Sequence, residues 1–263
     1  MVQVYSNGVF TARPEIVGTF GSAATTHWLA TATAMRILEA GGNAFDASVA
    51  AGFALQVLEP HLNGPGGEVS ILFWHGQDET PGVLCGQGTA PAAATIERMR
   101  SLELDSVPGT GLLPACVPGA FGAWLTLLRD YGRLRLEDVL APTIEYASGG
   151  HPVTQRLSST IASMRGLFET EWNTSAQIYL PNGDAPAAGT LFRNLGIAKT
   201  YQKILSAGEG GSRDQQIERA YDAWYRGFVA EELDKLCRGE VLDSTGRRHA
   251  GLLTAEDMHH WKP

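Results

Sequence analysis

The sequence is poor in positive charge, and this shortage limits the partners that it can have. Its 263 residues include 20 lysines and arginines against 28 aspartates and glutamates, so the formal net charge is −8. The basic residues are scattered, and the densest group, Arg247-Arg248-His249, is predicted to be a solvated loop. A surface without a basic patch cannot neutralise a phosphate backbone. We therefore expect no nucleic-acid partner.

Cysteine pairs, long apolar runs and targeting signals are also missing. No two of the three cysteines have the C-x-x-C spacing of a metal or redox site, and we interpret them as buried free thiols in a reducing compartment. No apolar run approaches the ~20 residues that a membrane span needs. Residues 1–17 lack the charged region and apolar core of a signal peptide. These absences predict a cytoplasmic protein with no membrane partner. The cysteines are Cys85, Cys116 and Cys237.

Common catalytic and cofactor signatures are absent as well. The histidines show neither HExxH nor His-x-His spacing, and the adjacent pair His259-His260 is a weak metal candidate on a terminal helix that we expect to be exposed. There is no GxSxG elbow, no GxxxxGK[ST] loop and no GxGxxG turn after a strand. The glycine-rich residues 64–67 are therefore interpreted as a tight turn. The sequence predicts no metal site and no cofactor.

The clearest pattern that is present lies in residues 27–67. Apolar residues recur every three or four positions as far as residue 40, which predicts an amphipathic helix that ends at Gly41-Gly42. Asn43 is predicted to cap a second helix at residues 44–58, with Asp46 in its first turn. This second helix is apolar almost all round, so we expect it to be buried on most sides.

The other elements are predicted to complete one domain, residues 1–263. A polar, turn-rich linker between two apolar runs predicts an antiparallel hairpin. The polar loop at residues 102–111 is expected to be mobile or to border the site, and residues 168–189 are expected to be irregular. The predicted strands are 16–24, 69–74 and 82–86, and the predicted helices are 91–100, 120–131, 136–148, 154–164, 195–205 and 217–236.

Three segments carry motifs in a specific order. Residues 27–67 follow H-x-L-A…RILEAGGNA-x-DA-x-VA-A…EP…G-x-GG, residues 116–154 contain VPG followed by YG and VL-x-P, and the last run reads GLLTAEDMHHWKP. Together these motifs resemble the gamma-glutamyltransferase family, whose relatives include cephalosporin acylases. A single glycine-rich loop would be far less specific. The same residues also fit a helical hairpin in a core, and both interpretations hold together.

The resemblance implies an α+β fold, namely the four-layer αββα sandwich of the N-terminal-nucleophile hydrolases. The helices of residues 28–58 and 119–148 would cover the sheet, and the strands at 16–24, 69–74 and 82–86 would belong to it. In the family a precursor cuts itself before a Thr that then heads a small subunit. The Thr hydroxyl attacks a carbonyl, and its α-amine, with a pKa of about 8, accepts the proton.

That nucleophile lies beyond residue 263 in the family, so we expect this chain to be the large-subunit part and to contain no catalytic residue. The partners implied are a small subunit with an N-terminal Thr and a small-molecule amide or modified amino acid as substrate. A dimer of heterodimers is among the implied assemblies.

The sequence departs from the family pattern where the predicted hairpin ends. Family members have R-E-x-A-P there, and the Arg pairs with the α-carboxylate of the substrate. This chain has Gln87-Gly88-Thr89-Ala90-Pro91 instead. Because a neutral amide cannot replace a bidentate Arg–carboxylate contact, a standard gamma-glutamyl substrate is not expected. Gln87 and Gly88 are the predicted substrate-binding residues; alternatively, Gln87 is an ordinary polar residue at a loop edge.

Three functions follow from these observations. The first is a self-processed amide hydrolase or acylase, to which this chain contributes scaffold and a pocket wall. The second is a biosynthetic member of the family that cleaves another bond, such as a carbon–carbon bond, in a modified amino acid. The third is a non-catalytic homologue that only binds an amide-like ligand. A second chain that begins with Thr would exclude the third.

Overall fold

The computed structural model describes residues 17–77 and 79–263, which form mainly helices. Local signals set the ends of the first two. Helix α1 begins after His27, whose Nδ1 accepts a hydrogen bond from Leu29 N, and it ends before Gly41, whose φ of 95° favours glycine. Asn43 and Asp46 form a capping box at the start of α2, which confirms the predicted cap. The helices are α1 (Trp28–Glu39), α2 (Ala44–Leu58), α3 (Ile96–Ser101), α4 (Ala120–Tyr131), α5 (Leu136–Gly149), α6 (Gln155–Thr170), α7 (Asn173–Tyr179), α8 (Leu195–Ala207), α9 (Arg213–Tyr225), α10 (Phe228–Cys237) and α11 (Ala255–His260).

Helix α2 lies in the middle of the helical core, with α1, α4 and α5 packed against it. Eleven of its 15 residues are buried, which confirms the predicted burial. A Cβ on Gly52 would lie 2.5 Å from the Trp124 ring, so glycine is what lets α4 approach this closely. The buried Asp46 carboxylate accepts hydrogen bonds from the N–H groups of Arg133 and Leu134, and thus joins α2 to the turn before α5.

The strands of the described residues form three two-stranded antiparallel sheets, so the molecule is mixed helix and sheet. Pairing of Val69 with Gly86 and of Trp74 with Pro81 confirms the predicted hairpin. The predicted strand at 16–24 is wrong for residues 17–24, which form no strand. No described strand runs beside them to share hydrogen bonds. Residue 16 lies outside the described residues. The strands are β1 (Val69–Trp74), β2 (Pro81–Gly86), β3 (His151–Pro152), β4 (Leu191–Phe192), β5 (Glu240–Leu242) and β6 (Arg248–Ala250).

Several predicted helix bounds are corrected by the structure. The helix predicted at 217–236 is two helices, α9 and α10, which are separated by a break at Arg226 and Gly227. Helix α3 starts only at Ile96, because Thr95 Oγ1 caps it by accepting a hydrogen bond from Arg98 N. Part of the segment expected to be irregular is helical, since α6 continues to Thr170 and α7 follows it. Both helices pack on a small separate core, against which Ala176 and Tyr179 of α7 lie; it is formed by Val153, Leu157, Ile161, Phe168, Leu180 and Phe192.

The cysteines and the basic run also differ from expectation. All three cysteines are free thiols as predicted, but only Cys237 is buried, whereas Cys85 and Cys116 are exposed. Cys85 is exposed because the alternation along β2 places it on the outer face of the hairpin. The run predicted as a solvated loop has exposed arginines but ends in strand β6. There His249 Nδ1 lies 2.6 Å from the buried Asp243 carboxylate.

No helix in the described ranges 17–77 and 79–263 combines the length and the hydropathy that crossing a bilayer requires.

Candidate functional site

The segment that follows β2 contains both predicted substrate-binding residues. Gln87 is exposed and Gly88 is partly buried. The Gln87 side chain accepts a weak hydrogen bond from Cys85 Sγ at 3.8 Å, and its backbone oxygen accepts one from Trp261 Nε1 at 3.3 Å. The Gln87 side chain therefore lies beside the outer face of the hairpin, with its backbone held from the other side. The segment contains no charged residue between Gln87 and Pro91.

Glycines bring this segment against the backbone that precedes α4. A Cβ on Gly88 would lie 1.6 Å from Val117 O, and one on Gly119 would lie 2.1 Å from Gly86 O. Val117 N also donates a hydrogen bond to Thr89 O at 3.0 Å. Two stretches of main chain are thus in direct contact at positions that tolerate no side chain. Gly88 has a structural role here, whether or not it also contacts a substrate.

Two clefts border the later part of this segment, from Thr89 onward, and neither is lined by Gln87 or Gly88. The first, which we call the Met99 cleft, has a volume of about 500 Å³ and is mainly apolar. The second, the Trp261 cleft, has a volume of about 490 Å³ and lies between Thr89–Ala92 and the end of α11. Pockets of this size hold small molecules in many proteins. The Met99 cleft is lined by residues that include Pro91, Ile96, Met99, Leu104, Val107, Leu113 and Cys116.

The loop at residues 102–111 forms one wall of the Met99 cleft through Leu104 to Val107. The loop is held in place from the β5–β6 hairpin. Arg247 donates to Leu102 O at 2.7 Å, and Ser244 Oγ accepts from Gly109 N at 2.9 Å. The loop therefore borders the Met99 cleft, and a role of that cleft in substrate binding stays a prediction.

Asp257 is the ionisable group in direct contact with the segment. Its carboxylate accepts a hydrogen bond from Ala92 N at 2.8 Å and others from the backbone and hydroxyl of Thr254 at 2.9 and 2.7 Å. Burial by itself raises the pKa of Asp257, but these hydrogen bonds outweigh it and hold the pKa below its ordinary value. The carboxylate is ionised at neutral pH and acts as an acceptor only.

A second polar cluster, which the sequence did not indicate, lies at the carboxyl end of α2. His27 and His151 are buried there, and neither His27 Nε2 nor either ring nitrogen of His151 has a hydrogen-bond partner among the described residues. Burial lowers the pKa of both imidazoles. Glu59 lies close enough to oppose this shift at His27. The imidazoles are neutral at pH 7, and nothing in the sequence spacing joins these residues.

The described residues contain no group of three or more His, Cys, Asp or Glu side chains placed to hold a metal ion. The pair His259 and His260 lies on α11 with both side chains exposed, as expected for a terminal helix.

Residues 30–263 match the family model described as gamma-glutamyltranspeptidase. A glutathione hydrolase-like YwrD proenzyme of Bacillus subtilis (strain 168) is 32% identical over 83% of this chain and 39% of its own length. This chain therefore spans about two fifths of that curated relative.

Two solved structures are similar over nearly the whole chain. The structure of LmbA2991HD is 50% identical, with a TM-score of 0.93 over 97% of this chain and 44% of that chain. The cephalosporin acylase from Bacillus halodurans is 30% identical, with a TM-score of 0.78 over 99% of this chain and 46% of that chain. Both similarities extend over the Gln87 segment and both clefts.

Proposed function

Because the chain belongs to the gamma-glutamyltranspeptidase family, we propose that it is the N-terminal, large-subunit part of a self-processed N-terminal-nucleophile hydrolase. The reaction is cleavage of an amide bond. The names of the relatives support this class: one is a glutathione hydrolase-like proenzyme and another a cephalosporin acylase. The nucleophile is the N-terminal Thr of a small subunit, and residues 1–263 act as one domain.

The observation that carries the proposal is the uncovered face of the β1–β2 hairpin. Its inner residues, such as Ile71 and Phe73, pack on the helical core. Its outer residues Leu72, Trp74 and Val83 are 75%, 60% and 72% exposed. An apolar sheet face of this kind fits a second sheet stacked about 10 Å away. This supports the four-layer αββα sandwich, in which a small subunit supplies the missing sheet.

The position of Gln87 links this face to the chemistry. Cys85 lies on the outer face of the hairpin, and Gln87 follows two residues later with its side chain 3.8 Å from the Cys85 sulfur. A small subunit seated on the hairpin would therefore lie next to Gln87. The Gln87 amide can donate and accept hydrogen bonds but cannot pair with a carboxylate as Arg does. We propose that Gln87 binds a neutral acyl group, beside the backbone at Gly88.

The proposed reaction needs no metal or cofactor. The Thr hydroxyl oxygen bonds to the amide carbon while its proton moves to the α-amine of the same residue. Backbone N–H groups stabilise the oxyanion. The C–N bond then breaks, the ammonium returns the proton to the leaving amine, and an acyl ester remains. Water adds to the ester in the same way and releases the acid; if an amine adds instead, the reaction is acyl transfer.

Gln87 also fits the second candidate, a family member that cleaves another bond, including a carbon–carbon bond, in a modified amino acid. The loss of the Arg removes the need for a free α-carboxylate in the substrate. We place the enzyme in the cytoplasm, with a dimer of heterodimers as its assembly.

The test is a panel of substrates given to the complete enzyme and to its Gln87→Arg variant. Gamma-glutamyl anilide and anilides of neutral acyl groups are compared. The proposal expects the natural enzyme to prefer neutral acyl groups and Gln87→Arg to raise turnover of the gamma-glutamyl substrate. Gln202→Arg, which adds the same charge at an exposed position of α8, is the matched control. If Gln87→Arg changes no kinetic constant for any substrate, Gln87 is not in the pocket.

A further inference from the structure

We infer that Asp257 and Trp261, which lie at the end of the described chain, are positioning residues for the substrate-binding segment. The inference rests on the proposed function, because it gives these residues the task of orienting Gln87. Trp261 Nε1 donates to Gln87 O at 3.3 Å, and Asp257 accepts from Ala92 N at 2.8 Å. The segment from Gln87 to Ala92 is therefore held at both ends by residues from one short element.

The Trp261 end of this anchor is rigid. Trp261 is 4% exposed and stacks on Tyr225 with ring centroids 5.1 Å apart. Its backbone oxygen accepts a hydrogen bond from Tyr221 Oη at 2.9 Å. The Tyr225 hydroxyl in turn donates to Pro118 O at 2.6 Å and accepts from Gly122 N at 3.0 Å. One aromatic group thus holds the Gln87 segment and the main chain that packs against it in fixed relation.

The Asp257 end is held by the cap of α11. Thr254 and Asp257 form a capping box, so the carboxylate that binds Ala92 N is also bound by Thr254. Hydrogen bonds to an ionised acceptor are the stronger kind, and this one acts on the backbone N–H of Ala92, the last residue of the segment.

Neither contact uses the side chain of Gln87. The anchor fixes the backbone at both ends and leaves the side-chain amide exposed beside the outer face of the hairpin. Asp257 and Trp261 therefore affect substrate binding through Gln87 and take no part in proton transfer or bond cleavage. Loss of either contact should raise KM and change kcat little.

The experiment is a double-mutant cycle in the complete enzyme, assayed with the neutral acyl anilide that it prefers. Trp261→Phe keeps an aromatic ring but loses the N–H donor. We expect it to raise KM about fivefold, as removal of one hydrogen bond does, and to change kcat less than about twofold. In a Gln87→Ala background the same substitution should have no further effect on KM. An equal increase in both backgrounds would overturn the inference.

Trp224→Phe is the matched control. Trp224 is also 4% exposed and belongs to the same hydrophobic core, where it stacks on Phe121, but its Nε1 has no hydrogen-bond partner among the described residues. It should leave KM unchanged, and a KM increase equal to that of Trp261→Phe would contradict the inference. Asp257→Ala carries the same test if Trp261→Phe fails to fold. Glu256→Ala is its control, since it removes an exposed carboxylate from the same helix, one that pairs with His260 rather than with Ala92.

Hydrogen exchange separates failure of this inference from failure of the proposed function. If Gln87→Ala leaves KM unchanged, Gln87 does not bind substrate and the proposed role of that residue is wrong. The anchor is then judged on exchange of the peptide that spans residues 86–92. Faster exchange in Trp261→Phe and Asp257→Ala, but not in Trp224→Phe and Glu256→Ala, supports it. Unchanged exchange in all four variants overturns it.

Discussion

Helix α2 and the β1–β2 hairpin are both rich in apolar residues, yet they differ in how their burial is completed. Ala50 and Phe53 in α2 are 0% exposed, because α1, α4 and α5 surround that helix. The hairpin is buried on its inner face alone, and Leu72 and Trp74 on its outer face remain exposed. The helical core is therefore covered on all sides within the described residues, whereas the outer face of the hairpin is not, and we propose that this face is an interface. The predicted substrate contact lies at the edge of that face.

The largest loss of stability is expected from placing a charge in the buried helix α2. Ala50→Asp should abolish soluble folding, because an unpaired carboxylate buried in α2 costs several kcal/mol, roughly the whole stability of a domain. Ala32→Asp, at an exposed position of α1, is the control and should fold. Circular dichroism melting measures both. A melting curve for Ala50→Asp like that of the natural chain would show that the burial assigned to α2 is wrong.

A smaller but still large loss of stability is expected at Gly88, where the chain that follows the hairpin packs against the main chain before α4. Gly88→Ala places a Cβ within 1.6 Å of Val117 O, so the backbone must move, at a cost of about 3 kcal/mol. Gly66→Ala, where an added Cβ meets nothing within 4 Å, should cost about 1 kcal/mol or less. Urea unfolding would give both values. Equal midpoints for the two variants would contradict the close contact of the two backbone stretches.

We expect pH to change the stability by an intermediate amount, through the buried histidines at the carboxyl end of α2. His27 and His151 have pKa values lowered by burial from 6.5. The unfolded chain therefore binds more protons than the folded chain below about pH 6.5, and stability is lost as the pH falls through that value. Glu59 opposes this shift at His27, while His151 feels the charge of His27.

The measurement is Tm between pH 8 and pH 5 for the natural chain and two variants. His151→Asn should flatten the fall in Tm, whereas His260→Asn, on the exposed face of α11, should leave its slope as it was. The slopes are compared, since His151→Asn also changes Tm at neutral pH. A slope for His151→Asn equal to that of the natural chain would show that His151 does not contribute to the fall in Tm.

The smallest effect on the stability of this chain is expected from substitutions on the outer face of the β1–β2 hairpin. Leu72→Thr with Val83→Thr should change the free energy of unfolding by less than about 0.5 kcal/mol per site, because both side chains are already in water. The same pair should weaken assembly with the proposed small subunit. Ile71→Thr on the inner face should cost more stability. If the outer pair destabilises the chain as much as Ile71→Thr does, the outer face is covered within this chain.

Local signals in the sequence predicted those parts of the fold that local chemistry determines. The Asn43 cap, the burial of α2 and the β1–β2 hairpin are confirmed, because each depends on residues a few positions apart. The location of Gln87 at the end of a strand follows from the same hairpin. The break at Gly227 and the helix α7 were missed, since both depend on packing rather than on propensity.

What the sequence could not predict depends on residues that are distant along the chain. The contacts of Gly88 with Val117 and of Gln87 with Trp261 join separate motifs, and neither motif indicates which distant residue it contacts. The exposure of Cys116 and the burial of His151 likewise follow from tertiary packing. Residue type alone favours the opposite assignment in both cases, because cysteine is usually buried and histidine is more often partly exposed.

We propose that this chain works with a partner that begins with Thr and covers the hairpin next to Gln87. Intact mass with N-terminal sequencing of everything that co-purifies with this chain, when its complete gene is expressed, tests this. We expect a second polypeptide in equal amount whose first residue is Thr. Purification of this chain with no such partner, from a gene product that contains none, would contradict it and favour a protein that only binds its ligand.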